Sequence, residues 1–100
     1  MQNKQLGNVY FIKDNSNGLI KIGYAKDVNK RFKTFQTANA NISLLYIIPN
    51  CTMDYEKSLH RYFGDTRKVR EWFENNNGMI TNFIKRDELT RQVMKDEGVI

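Results

Sequence analysis

The sequence has a single cysteine, a single proline and a single histidine. Cys51 cannot form an internal disulfide and cannot build a zinc site by itself. That points to a reducing compartment and excludes a stapled secreted scaffold. No apolar run approaches the ~20 residues needed to cross a bilayer, so no membrane partner is expected. The opening stretch MQNKQLGN is polar and lacks the apolar segment of a signal peptide, so the expectation is an intracellular protein, in the cytoplasm or nucleus of a host cell, that is not secreted. No glycine-rich phosphate loop of the P-loop or dinucleotide kind is present, which argues against nucleotide-dependent chemistry and a small-molecule cofactor. There is no zinc-type ligand cluster, no internal repeat and no low-complexity stretch. Cys51 and His60 are the two halves of a nucleophile pair on paper, but Cys51 directly follows a strand expected to be buried, and an inert core thiol fits better.

What is present is ordinary for a globular chain: 40% hydrophobic and 27% charged residues over 100 positions. That suits one small domain, 1–100, and excludes a disordered tail. The net charge of +5 is unevenly spread. Residues 1–70 carry 12 basic and 5 acidic side chains, and residues 71–100 carry 4 basic and 6 acidic. The excess lies in two clusters, Lys21, Lys26, Lys30, Arg31 and Lys33, then Arg61, Arg67, Lys68 and Arg70. Such a field attracts polyanions; a solvated surface kept for solubility is the plainer alternative.

Along the chain, Asp14-Asn15-Ser16-Asn17-Gly18 is a dense turn cluster between two β-rich runs, 8–13 and 19–24, which predicts a hairpin. Pairing Val9 with Ile22 and Phe11 with Ile20 makes one face uniformly apolar and sets Tyr10 opposite Lys21 on the other. Asp27 is a good N-cap for a helix to about Ala38, with Val28, Phe32 and Phe35 as its buried stripe and Arg31 at the edge of that stripe. Residues 42–48 are nearly all apolar and read as a central strand ended by Pro49. Thr52 or Asp54 then caps a second helix to about Phe63, with Tyr55, Leu59 and Tyr62 as its ridge and Glu56 and His60 stacked four apart beside it. A basic loop, 64–70, leads to Glu71-Trp72-Phe73, a short apolar anchor. Asn75–Gly78 breaks the chain, and a helix follows. The order β-β-α-β-α-α predicts a small α+β domain with a three-stranded antiparallel sheet flanked by helices.

The remaining chemistry-bearing side chains are Tyr10, Lys21, Arg31, Glu56 and His60. Each has a structural alternative: a packing aromatic, a sheet-face lysine, a helix-surface charge, and an exposed i,i+4 pair. Together they supply the groups needed for one-metal phosphodiester hydrolysis. Mg²⁺ takes hard oxygen ligands and keeps several waters, so one carboxylate suffices when the substrate phosphate adds another ligand. An arginine balances the charge that develops on phosphorus.

At these residues the sequence resembles the GIY-YIG endonuclease superfamily. The ordered set is Val9-Tyr10-Phe11, Lys21-Ile22-Gly23, Arg31, Glu56-x-x-Leu59-His60-x-x-Phe63 and Glu71-Trp72-Phe73. It is similar to the compact branch of phage, large DNA virus and fungal proteins, and it covers about residues 8–74, leaving 75–100 as a helical C-terminal extension. The resemblance implies cleavage of DNA with Mg²⁺ or Mn²⁺, held by Glu56 as the single metal ligand. It implies Tyr10 as general base or water-positioning group, Lys21 as a helper to the water, Arg31 as the phosphate contact, and His60 as a proton relay or phosphate contact. Lys26, Lys30, Lys33, Arg61, Arg67, Lys68 and Arg70 would track the nucleic-acid backbone. Asn8 stands where the family has its first glycine, Lys21 where it has a tyrosine, and Phe35 where many relatives have a histidine. One of Asn75, Asn76 and Asn77 would be the family's late polar residue. Specificity would come from a fused or separate DNA-recognition module. The alternative is a non-catalytic nucleic-acid-binding module that keeps the same fold, and a third reading is a protein-interaction domain acting through its acidic C-terminal helices. The catalytic reading requires Tyr10, Lys21, Arg31, Glu56 and His60 to converge on one concave surface; Glu56 on the far side of the sheet from Tyr10 would break it.

Overall fold

The computed structural model describes residues 5–100, so the first four residues of the polar opening stretch lie outside it. Strands β1 (Gly7–Asp14) and β2 (Ile20–Ala25) form the hairpin, and α1 (Val28–Ala38) follows. Then come β3 (Ile42–Cys51), α2 (Met53–Tyr62), the short strands β4 (Arg67–Val69) and β5 (Trp72–Phe73), and α3 (Met79–Asp96). The domain is α+β as expected, but its sheet has five strands in the order β3-β1-β2-β5-β4, not three. The two additional strands lie in the segment expected to be a basic loop and an apolar anchor. They are three and two residues long, too short to show a period in the sequence. They hold together because Arg70, at φ 50°, reverses the chain between them and β5 docks on β2 through Ile20–Phe73 and Lys21–Trp72. Among the described residues no helix is long and apolar enough to cross a membrane.

The hairpin register differs from the expected one by two residues. Phe11 faces Ile22 and Val9 faces Tyr24, while Tyr10 faces Gly23 and Lys21 faces Ile12. A two-residue shift keeps every side chain on its face, so the hydrophobic pattern could not distinguish the two. The turn decides it. The expected register leaves Asn15 and Ser16 alone in a two-residue loop, and such loops need positive φ at both central positions or a leading glycine. The observed loop is longer and places its positive φ, 77°, at Gly18. The Asp14 carboxylate accepts from the Ser16 amide and hydroxyl at 2.9 and 2.6 Å, and the Gly18 amide donates to the Asp14 carbonyl at 2.8 Å. The second determinant is Gly23, where a Cβ would overlap Cζ and Oη of Tyr10. The tyrosine ring lies across the one position of β2 that leaves it room.

The expected central strand, β3, is instead an edge. The strand covered on both faces is β1, whose Val9, Tyr10, Phe11 and Ile12 are all buried. Pro49 does not end β3, which runs on to Cys51. An edge tolerates the missing donor, and the ladder bulges there: Pro49 and Asn50 together oppose Asn8, with Asn50 at φ 56°. A second bulge leaves Leu45 unpaired between Tyr46–Phe11 and Leu44–Ile12.

Two apolar layers sandwich the sheet. On one face Tyr10, Ile12, Ala25, Val28 and Ile42 pack with Phe32 and Phe35 of α1. On the other Val9, Phe11, Ile20, Ile22, Ile48 and Phe73 pack with Leu59 and Phe63 from the α2 segment and Ile80 and Ile84 of α3. The C-terminal segment is therefore part of the core, with the Phe83 ring 6.1 Å from Phe11 and 5.7 Å from Phe63. Asn75 fixes its start, since its Oδ1 accepts from the Ile80 and Thr81 amides at 2.8 and 3.2 Å. The ridge of α2 is rotated from the expected one. Tyr62 is 64% exposed, and Phe63 fills the core position in its place. With Leu59 and Phe63 inward, Glu56 shares their face and is buried.

The Tyr10–Gly23 contact gives a direct test. Gly23→Ala must displace a fully buried ring and is expected to lower unfolding free energy by ~1–3 kcal/mol in urea titrations. Gly64→Ala, where an added methyl meets nothing within 4 Å, is expected to leave it nearly unchanged.

Candidate active site

The site forms where β5 stops. Beyond the Lys21–Trp72 pair β2 has no strand partner on that side, and its main chain at Ile22 is satisfied by other means. The Ile22 amide donates to the Glu71 carbonyl at 3.0 Å. The Ile22 carbonyl is 2.8 Å from His60 Nε2. A carbonyl only accepts, so Nε2 carries the proton. Nδ1 lies 3.2 Å from an Arg67 guanidinium nitrogen, which only donates. The two partners together select the Nε2–H tautomer. His60 thus continues the sheet edge with a side chain and fastens α2 to it, with its ring 5.1 Å from that of Phe73.

Glu56 sits one helical turn before His60, with its Oε1 3.6 Å from His60 Nε2. Its carboxyl is 12% exposed, and burial pushes its pKa up from the usual carboxylate range. His60 acts against that rise and the charge of Glu71 adds to it. Glu71 is the residue that sequence reasoning missed. In the sequence it reads as part of an apolar anchor with Trp72 and Phe73; it stands just before β5, and no local pattern marks the pairing that brings it beside Lys21. Ligand atoms of Glu56, His60 and Glu71 all lie within 4.8 Å of one another. Glu71 also pairs with Lys21 at 2.9 Å.

The expected convergence on one concave face is not what is found. Tyr10 packs in the α1 layer and Glu56 comes from α2 on the other side of the sheet, the arrangement that breaks a shared-face site. The Tyr10 ring, however, crosses β2 at Gly23 and carries its hydroxyl toward the strand's free edge. Tyr10 and Glu56 meet around that edge, through Glu71. The Tyr10 phenol is pushed up to about 12, first by burial and then by the charge of Glu71; Arg31 acts in the opposite direction and Glu56 adds a smaller rise. Arg31 is thus beside the Tyr10 hydroxyl, as its place at the edge of the α1 stripe required. Its helix is fixed by Asp27, whose side chain accepts from the Lys30 amide at 3.0 Å. Lys21 is not across the strand from Tyr10, but it is on the same face. Its ammonium is held between Glu71 and the rings of Phe35 and Trp72, with ring centroids at 5.0 and 5.5 Å. Asn8, where the GIY-YIG pattern has glycine, donates to the Ala25 and Lys26 carbonyls at 3.1 and 3.0 Å and ties β1 to the start of the α1 loop.

Lys26, Lys30, Lys33, Arg61, Arg67, Lys68 and Arg70 are all exposed. Five of them fall on two sides of the site, while Lys68 lines a separate groove with Lys13, Asn17 and Glu74. Lys26, Lys30 and Lys33 flank α1, and Arg61 and Arg67 line a groove with Lys57, His60 and Gly64 beyond α2. Cys51 is a buried free thiol whose pKa burial raises, as expected of an inert core residue.

Two carboxylates of different burial, with an ammonium and a guanidinium beside them, form a compact hard-oxygen donor set of the kind divalent cations use. His60 adds less, because both its ring nitrogens are already engaged. A family model described as the T5orf172 domain matches residues 7–88. No curated protein matches the chain, and no solved structure does.

The raised pKa of Glu56 sets a sign. In the unfolded chain the carboxyl ionises near 4.5, lower than in the folded one. Its contribution to stability is therefore full below that value and is lost as pH rises through the folded pKa. Glu56→Gln is expected to raise the urea midpoint at pH 7, and the gain should vanish when the titration is repeated below pH 4.5.

Proposed function

We propose that this chain, which belongs to the T5orf172 domain family, is a divalent-metal-dependent endonuclease that hydrolyses DNA phosphodiester bonds in the manner of the GIY-YIG enzymes. The family is one of phage and nuclease-like proteins. The observation that carries the reading is the meeting of Glu56, Glu71 and Lys21 at the free edge of β2, with Tyr10 and Arg31 close enough for their charges to act on one another.

Glu56 and Glu71 would hold Mg²⁺ or Mn²⁺, which when bound supplies Lewis-acid stabilisation of the phosphate charge. The donor set fits: among the described residues the buried Glu56 carboxylate pairs with no lysine or arginine and meets only the His60 ring at 3.6 Å, and the Glu71 carboxylate lies within 4.8 Å. Lys21 already pairs with Glu71, so it screens that carboxylate until substrate arrives and is then placed to meet a phosphate oxygen. Arg31 balances the charge developing on phosphorus. Tyr10 orients the attacking water. It can take the water's proton only as phenolate, after releasing its own proton to solvent. Burial is the first barrier to that, and neutralising Glu71 and Glu56 would remove the two charge influences that add to it. His60 is a positioning residue that sets Glu56 against the strand edge. The exposed lysines and arginines on both sides of the site follow the sugar-phosphate backbone.

The non-catalytic reading draws on one specific feature. Tyr10 is 1% exposed and its phenol is hard to ionise, which suits packing better than proton transfer. The two readings separate in one assay. Supercoiled plasmid incubated with Mg²⁺, then Mn²⁺, is expected to be nicked. Glu56→Ala is expected to abolish nicking while gel-shift affinity for DNA is retained. Arg31→Ala is expected to slow nicking by about 10²–10³-fold. Salt-dependent DNA binding without nicking by the wild-type chain would leave the binding module in its place.

A further inference from the structure

Trp72, Lys21, Ile12 and Leu44 form one row across four adjacent strands, on the face that α1 covers. At the β5 end of that row α1 does not close the layer. A pocket of about 180 Å³ remains there, lined by Trp72, Phe35, Ile12, Ile42, Ala38, Lys21 and Asn39. It is mostly apolar and has two aromatic walls. Neither wall is fully buried, and Trp72 makes no hydrogen bond through its indole N–H among the described contacts. Trp72 is half-buried and meets the Lys21 ammonium at 5.5 Å, which leaves part of its ring facing the pocket.

We infer that this pocket takes one unstacked nucleobase of the bound DNA strand. The inference rests on the nuclease reading and deepens it. The volume suits a single flat heterocycle. The Lys21 ammonium already fills the cation position over both rings, so an ammonium or methyl-lysine guest is disfavoured and a flat neutral ring is favoured. Aromatic faces of this kind hold bases without regard to sequence, because every base has a π-face. Lys21 touches both the pocket and the site, since its ammonium lies over Phe35 and Trp72 and bonds to Glu71. A base seated there anchors the strand next to the catalytic edge, and the cations flanking α1 meet the adjoining phosphates. The protein then prefers single-stranded or locally opened DNA to a closed duplex, which must first unstack a base.

Trp72 is the sole tryptophan, so its emission reports the pocket directly. In EDTA, an oligothymidylate is expected to quench that emission saturably, and a closed duplex to do so weakly. Ala38→Leu fills the pocket from an exposed rim position. It is expected to remove the quench and weaken oligonucleotide binding, read by anisotropy, about tenfold. Trp72→Leu should lose about as much, whereas Trp72→Phe keeps an aromatic face and most of the affinity. Unchanged emission while anisotropy shows binding would overturn the pocket and leave the nuclease reading standing. So would an Ala38→Leu protein that binds as tightly as wild type. Equal quenching by thymidine monophosphate at the oligonucleotide's own concentration would assign the pocket to a free nucleotide and overturn strand anchoring. Neither binding nor nicking of any DNA would sink both readings.

Discussion

The hydrogen bond between His60 and the carbonyl of Ile22 is the constraint on which the rest of the site depends. A buried strand edge has to satisfy its main-chain groups. At Ile22 the neighbouring strand supplies an acceptor and then ends, so the carbonyl must find its donor elsewhere. An imidazole from α2 provides it. Once that bond is made, the helix is held in height and rotation against β2. Glu56, one turn earlier, is then carried to the place where Glu71 enters the sheet. The guanidinium of Arg67 completes the arrangement by engaging the other ring nitrogen, so the imidazole has one orientation and one tautomer. The carboxylates are brought together by main-chain bookkeeping at a sheet edge, not by any attraction between them.

Much of this was legible in the residues. Asp27 as a cap, the α1 stripe with Arg31 at its margin, the hairpin and the second helix follow from patterns that local chemistry enforces. The buried thiol at Cys51 does too. The register of the hairpin was not legible, because a shift by two leaves the apolar faces intact; only the turn backbone and the room that Gly23 leaves for Tyr10 distinguish the alternatives. The five-stranded sheet was hidden because β4 and β5 are shorter than any period. Their existence depends on β2 offering an edge, which is a tertiary fact. The position of β3 in the sheet was misjudged for a related reason. A run of isoleucine and leucine signals burial, but an edge strand lying between two covered layers looks the same in sequence as a central one.

The site itself was partly visible. Tyr10, Lys21, Arg31, Glu56 and His60 are all found around one edge of β2, though from two layers and not on one face. Glu71 was not visible, because its significance comes from pairing. It is a carboxylate in a two-residue strand's approach, and only the structure puts it beside Lys21 and within reach of Glu56. The buried position of Glu56 opposes stability, since burial works against its charge and, among the described residues, only His60, at 3.6 Å, pairs with it. That opposition is concentrated where the two carboxylates meet.

The two bulges in β3 bear on how copies of the chain meet in a crowded solution. An open sheet edge invites another strand to add to it. Along β3, Leu45 interrupts the ladder once and Pro49 with Asn50 interrupts it again. Between them lies a stretch too short to template a stable pairing. At the other end of the sheet the exposed edge is β4, where Arg67 and Lys68 present like charges to any second copy. Neither border lets the sheet grow by accretion. Copies of the chain can therefore be crowded together without their sheets fusing into fibrils.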